Sequence, residues 1–175
     1  METYLKSKIR NVVNFPKKGI VFRDITTLIN DPEALQKVAN TLAYMSSDLK
    51  IDKVAGIESR GFILAGVLAE KLHAGLVLIR KPGKLPAETL RQDYELEYGT
   101  DTLEMHKDAI RPGERVLIHD DLLATGGTAR AACDLIEKAG GIIVKLCFIV
   151  ELSFLKGRDK INNYPVDALV TYDSE

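Results

Sequence analysis

The sequence predicts an α/β domain with a central, mainly parallel sheet flanked by helices. Short β-branched runs alternate with stretches of helical periodicity. One of those runs, Leu76 to Ile79, is apolar at every position, as a strand covered on both faces is. Size and composition agree: 175 residues, 46% hydrophobic and 28% charged, suit one domain whose core needs no disulfide or structural metal. A single domain over residues 1–175 is expected, with a small N-terminal hood over roughly 1–30 and a lid over roughly 81–111.

An opening helix is expected from about Thr3 to Val12, where Leu5, Ile9 and Val12 form one stripe. Asn14-Phe15-Pro16 ends it, because proline disfavours helical geometry in the residue before it. Asp31-Pro32 starts the next helix: aspartate caps it and proline fits its first position. Leu35, Val38, Leu42 and Met45 carry it to about Leu49. Lys53 to Ile57 is a short strand, and Gly61 to Leu72 a helix. Leu76 to Ile79 and Arg115 to His119 are further strands. A helix from about Thr128 to Ala139 ends at Gly140-Gly141, where glycine accepts a left-handed C-cap. Ile142 to Val150 and Asp167 to Tyr172 complete the sheet. The exception is Lys81 to Arg111, about thirty residues with no clean helix. Tyr94, Leu96 and Tyr98 alternate with Glu95 and Glu97 in an extended arm, Gly99-Thr100-Asp101 turns it, and Leu103 and Met105 return it. Such excursions are usually functional lids or disordered loops, and the aromatic residues and alternating charges favour a lid.

Charge and composition exclude several classes. The 24 basic and 25 acidic residues give a net charge of -1, without the basic excess of a nucleic-acid-binding protein. The longest apolar run, Ile142 to Val150, is broken by Lys145 and falls short of the ~20 residues of a membrane span. METYLKSKIR holds no apolar stretch, so no secretory leader is expected. Cys133 and Cys147 form no CxxC pattern and read as small buried residues, which points to a reducing cytoplasm.

The sharpest motif is His119-Asp120-Asp121-Leu122-Leu123-Ala124-Thr125-Gly126-Gly127-Thr128, between a buried strand and a helix. Ligands of open α/β sheets sit beyond the carboxyl ends of the strands. Backbone N–H groups of Ala124 to Thr128 can wrap an anion, the glycines permit close approach, and the helix N-terminus adds partial positive charge. The GxxxxGK[ST] lysine and the GxGxxG pattern are both missing. Two adjacent carboxylates suit a vicinal diol, so a ribose 5-phosphate fits both parts: phosphate in the loop, 2- and 3-hydroxyls on Asp120 and Asp121. Glu58-Ser59-Arg60-Gly61-Phe62 also joins a strand to a helix. The forked donors of Arg60 suit a second phosphate. Arg80, Lys81 and Lys84 follow the next strand at the same sheet edge, where such a run is as readily plain solvated charge. Phe22 can stack on a planar ligand, although the same residue reads equally well as core.

In these segments the chain resembles the type I phosphoribosyltransferase family, and within it the adenine-specific branch. The resemblance rests on Asp120 to Thr128 with Gly19 to Asp24, Glu58 to Phe62, Ile79 to Pro86, Leu96 to Gly99 and Val150 to Leu152, in order along nearly the whole chain. It implies Mg²⁺-dependent transfer of phosphoribose from 5-phospho-α-D-ribose 1-diphosphate to adenine, giving AMP and diphosphate, in a cytoplasmic homodimer. It implies that Ser59, Arg60, Lys81 and Lys84 bind the pyrophosphate. Val21 and Arg23 would read adenine through their backbone, with Leu122 against its other face. No side chain is expected to ligate Mg²⁺ directly; the ion arrives on the donor. Related enzymes acting on 6-oxopurines place an acidic base in the phosphate loop, where this chain has Ala124. Glu97, beside Tyr98 near the lid tip, is therefore the candidate for proton transfer, although an ordinary exposed lid carboxylate beside Glu95 would look the same. His119 replaces the family's usual apolar residue and reads as a hydrogen-bonded core group. Uracil-specific relatives usually lack the second aspartate. Regulators that keep the fold usually append a DNA-binding segment, for which this sequence offers no basic helix.

Overall fold

The computed structural model describes residues 1–95 and 99–175. Five parallel strands form the central sheet: β3 (Lys53–Ile57), β4 (Gly75–Ile79), β7 (Arg115–Leu123), β8 (Ile142–Leu152) and β9 (Val166–Tyr172), in the spatial order β4-β3-β7-β8-β9. Helix α4 (Gly61–Lys71) links β3 to β4, and α5 (Gly127–Lys138) links β7 to β8. These crossovers leave in opposite directions from the neighbours β3 and β7, so a crevice opens where strand order reverses. Both motif loops, 58–60 and 124–126, lie at its mouth.

The inner strands of the sheet are covered on both faces, as their apolar sequences require, but edge strand β4 is not: Val77 and Ile79 are buried while Leu76 and Leu78, expected to be equally covered, are exposed. On one face Leu117, Cys147 and Ile149 pack with Leu64 and Leu68 of α4, Leu5 of α1 (Glu2–Lys8), and Val38 and Leu42 of α3 (Pro32–Tyr44). On the other, Val116, Ile118 and Phe148 pack with Ala132, Leu135 and Ile136 of α5. Both cysteines are free and buried.

Three expectations need correction. The first helix stops at Lys8; Ile9 is extended (φ -92°, ψ 127°), and Arg10–Val13 forms β1, paired antiparallel with β2 (Val21–Asp24). β-Branched Val12 and Val13 suit that pairing, and the stripe of Leu5, Ile9 and Val12 merely passed from helix to strand. A short helix, α2 (Thr26–Ile29), follows unpredicted. Helix α3 begins as expected, with Asp31 accepting from the N–H groups of Glu33 and Ala34 at 3.0 Å, but it ends at Tyr44 rather than Leu49. Ser47 Oγ donates to the Tyr44 carbonyl at 2.8 Å, the kind of local bond that competes with helix continuation.

The segment without a clean helix is an antiparallel hairpin, β5 (Thr89–Glu95) and β6 (Thr100–His106). Its second strand is fastened down: Leu103 and Met105 are fully buried in the core on the α5 side. Helix α1 is tied to the C-terminal strand by the Thr171 N–H, which donates to Glu2 at 2.9 Å, and the N-terminal hairpin by Arg23, whose guanidinium lies 4.0 Å from the Tyr172 ring centroid.

Candidate active site

Strand β7 continues through both aspartates to Leu123, four residues beyond its expected end at His119. Pairing with β8 holds the backbone there: Asp120 lies opposite Phe148 and Leu122 opposite Val150. The carboxylates are thereby fixed on a rigid element. Chain direction then changes at Gly126, which has φ +80°. Gly126 is the N-cap of α5, and among the described residues no side chain caps the helix. The first N–H groups of α5 therefore lack an intrahelical acceptor and are available to an anion, with the helix dipole behind them. Residues 124–128, with Asp120, Leu122, Leu123, Ala129 and Phe148, enclose a cavity of about 330 Å³.

A larger cavity of about 750 Å³ adjoins it. Its lining includes Ser59, Arg60, Lys81, Asp120, Asp121, Leu122 and Thr128, so the crevice brings both motif loops together. Glu58, Tyr94 and Leu103 also line it. The Asp120 carboxyl rests against the start of α4: a Cβ on Gly61 would stand 2.8 Å from Asp120 Oδ1. Burial, followed by the charge of neighbouring Asp121, pushes the Asp120 pKa well above the usual carboxylate range, and the Asp121 N–H donates to its Oδ1 at 2.9 Å. Asp121 is 6% exposed and is paired with Arg60, Nε to Oδ2 at 2.5 Å.

Cations around the cavity differ in how far they are committed. Lys81 donates to Asp101 and, at 3.2 Å, to the Tyr94 hydroxyl. Burial opposes its charge, but these bonds outweigh it and its pKa is raised. Glu58 accepts from the Lys81 N–H at 2.8 Å and from Arg80 Nε at 3.2 Å, binding the end of β4 to loop 58–60. Burial disfavours the Glu58 charge, yet those donors hold its pKa below the ordinary value. Lys84 stands apart on an exposed turn, outside the cavity lining.

A third pocket, of about 600 Å³, is formed by Val12, Phe15, Phe22, Asp24 and Arg60. Phe15 meets Phe22 edge-to-face, with ring centroids 5.2 Å apart. The Arg23 side chain does not line this pocket: it donates to Asn11 Oδ1 at 2.8 Å and to the Ser174 carbonyl at 3.3 Å. Leu122 lines the two cavities of the crevice instead. Val21, opposite Val13 in the hairpin, is likewise absent from the pocket lining.

Residues 25–171 match the family model of the phosphoribosyl transferase domain. The chain belongs to the phosphoribosyltransferase family. Among similar phosphoribosyltransferases, the adenine phosphoribosyltransferase of Solibacter usitatus is 59% identical over 97% of this chain and 98% of its own length. That of Christiangramia forsetii is 56% identical over 96% of this chain and 98% of its own. Among solved structures, the adenine phosphoribosyltransferase of Thermoanaerobacter pseudethanolicus superposes with a TM-score of 0.95 at 48% identity, covering 98% of this chain and all of that one. The Saccharomyces cerevisiae enzyme, crystallised with an imino-altritol bisphosphate and adenine, gives 0.90 at 41% identity, covering 96% and 97%.

Several parts of this phosphoribosyltransferase site were missed in the sequence. Phe15 carries no sequence signal beyond its place before Pro16 at the expected helix end. Gly157 backs the 124–126 loop so closely that a Cβ there would lie 2.2 Å from the Ala124 carbonyl oxygen; the Val150-Glu151-Leu152 segment points nearby but not to it. Asp101, which the sequence places in a turn, is the partner of Lys81. His119 is the expected core group, fully buried, with Nδ1 3.0 Å from the Cys147 carbonyl oxygen. Among the described residues its Nε2 has no partner, and burial lowers its pKa to about 4, leaving the ring neutral near pH 7. Glu97 and Tyr98 lie outside the described residues.

Proposed function

We propose that this phosphoribosyltransferase transfers phosphoribose from 5-phospho-α-D-ribose 1-diphosphate to adenine, giving AMP and diphosphate. The observation that carries this reading is the uncapped N-terminus of α5 beside two strand-borne aspartates at the reversal of strand order. The full-length relatives support adenine as the base.

In this reading the backbone of Ala124, Thr125, Gly126, Gly127 and Thr128 holds the 5-phosphate, and Asp120 and Asp121 accept from the ribose hydroxyls. Ser59, Arg60, Lys81 and Lys84 face the diphosphate. Lys81 reaches it only by giving up Asp101, and Lys84 only by movement of its turn or from a second copy of the chain. The base enters the third pocket against Phe22. Val21 and Arg23, two apart on β2, turn the same backbone edge and suit paired hydrogen bonds to adenine, while Leu122 approaches from the ribose side. The glycosidic C1–O bond breaks with its electron pair leaving on diphosphate, and adenine N9 forms the new bond to C1. The N9 proton is assigned to Glu97, since Ala124 offers no base, and Tyr98 beside it helps close the site against water.

The residues fit Mg²⁺ carried by the donor. Asp120 and Asp121 line the same cavity, where they can meet the donor's hydroxyls and the ion's waters without ligating Mg²⁺ directly. Bound there, Mg²⁺ would offset the charge of the departing diphosphate. We assign the chain to the cytoplasm, in keeping with its free buried thiols. We assign it a homodimer, for which the exposed Leu76 and Leu78 on edge strand β4 offer an apolar face.

A steady-state assay with the sugar donor and Mg²⁺ tests the reading. Adenine is expected to exceed hypoxanthine, guanine and uracil in kcat/KM by about 10²-fold or more, because a site built for one donor–acceptor pattern leaves the others unpaired. Equal or better turnover of another base overturns it. Unaltered turnover in a Glu97→Gln variant removes Glu97 from proton transfer without removing the enzyme.

A further inference from the structure

Arg60 walls two cavities at once: the crevice that holds Ser59, Asp120 and Asp121, and the pocket formed with Phe15 and Phe22. Its Nε is committed to Asp121 Oδ2 at 2.5 Å, and its guanidinium carbon stands 5.7 Å from the Phe22 ring centroid. Among the described residues no other donor of this guanidinium is engaged, and the side chain is 46% exposed, so both Nη groups remain for a ligand. One carboxylate oxygen of Asp121, Oδ2, is taken by this bond.

Resting on the function proposed above, we propose that Arg60 is a positioning residue that couples the two substrates, with Asp121 as its pivot. Anchored at Nε, the guanidinium keeps mainly the freedom to swing its fork. A diphosphate gripped by the Nη groups fixes that swing from the crevice side. A purine stacked at Phe22 restricts it from the pocket side, because ring and guanidinium share that wall. Each ligand orders the same side chain, so the second to bind loses less conformational entropy, which is positive cooperativity. Lysine keeps the charge but has neither the Nε anchor nor the fork, and cannot transmit the effect.

The test measures adenine binding by calorimetry with and without magnesium diphosphate, a pair of ligands that cannot react. In the wild type, magnesium diphosphate is expected to tighten adenine about 5- to 50-fold. In Arg60→Lys that factor should fall below about twofold. Asp121→Asn should lose most of the coupling as well, with thermal unfolding of both variants confirming that they fold. A merely structural role would change single-ligand affinities and leave the ratio intact. No coupling in the wild type, or full coupling in whichever variant folds, overturns the assignment. Adenine turnover by the wild type tests the underlying function separately: turnover without coupling removes only the role of Arg60, whereas no adenine turnover removes both.

Discussion

Gly126 is held to glycine by two independent constraints. Its φ of +80° costs any other L-residue, and a Cβ there would lie 2.3 Å from the Gly157 carbonyl oxygen. Gly126→Ala should therefore cost about 2 kcal/mol or more, or roughly 4–8 °C in melting temperature for a chain of this size, and should raise the KM for the sugar donor. Thermal unfolding that matches the wild type would show the loop and Gly157 to be less tightly opposed than the geometry requires. Asp24 gives a pH prediction. The Thr26 hydroxyl, the Thr26 N–H and Arg10 hold its carboxyl down to about 2, against 3.8 when unperturbed. The unfolded chain takes up a proton near 3.8 and the folded chain not until about 2, so this stabilisation is complete above 3.8 and is lost as pH falls toward 2. Asp24→Asn should show a smaller fall in unfolding midpoint across that window than the wild type. Gly126 announces itself in the sequence because a residue type can encode a backbone requirement. The ion pairs of Arg60 with Asp121 and of Lys81 with Asp101 span 61 and 20 residues, and nothing local in the chain specifies them.

Among the elements, those with internal signals were legible. The Asp31-Pro32 start of α3 follows from capping chemistry, and the glycine-flanked limits of α5 follow from backbone freedom. The misread elements depend on partners elsewhere. Residues 10–13 are a strand because residues 21–24 pair with them, and β7 outruns its apolar stretch because β8 supplies the ladder as far as Glu151. The brace behind the phosphate loop has the same character. Gly157 begins a 3₁₀ turn (Gly157–Ile161), and Arg158 in that turn grips Glu151 with two bonds of 2.7 and 2.6 Å. Glu151 is 6% exposed, so removing its partner leaves a carboxylate nearly buried and unpaired. Arg158→Met is expected to destabilise the chain by about 1–3 kcal/mol, discounted for the exposed arginine. It should also raise the KM for the donor more than the KM for adenine. The same rise in both would place the effect in the whole molecule rather than in the brace.

At the scale of the whole molecule, function follows from topology. A parallel sheet whose crossovers diverge from β3 and β7 must place their following loops side by side, and the two motifs occupy those two loops. That arrangement was readable from the alternation of strands and helices together with the motif positions. The way the N-terminal hairpin seats its aromatic pocket against Arg60 was not, because it depends on β1 pairing, the edge-to-face contact of Phe15 with Phe22 and the fastening of Arg23 to the C-terminal strand. A crystal structure with ribose 5-phosphate bound is the most direct test of the account. The phosphate should accept hydrogen bonds from backbone N–H groups of residues 124–128, and the 2- and 3-hydroxyls should meet Asp120 and Asp121. Sugar phosphate lodged elsewhere, with the start of α5 left empty at saturating ligand, would contradict it.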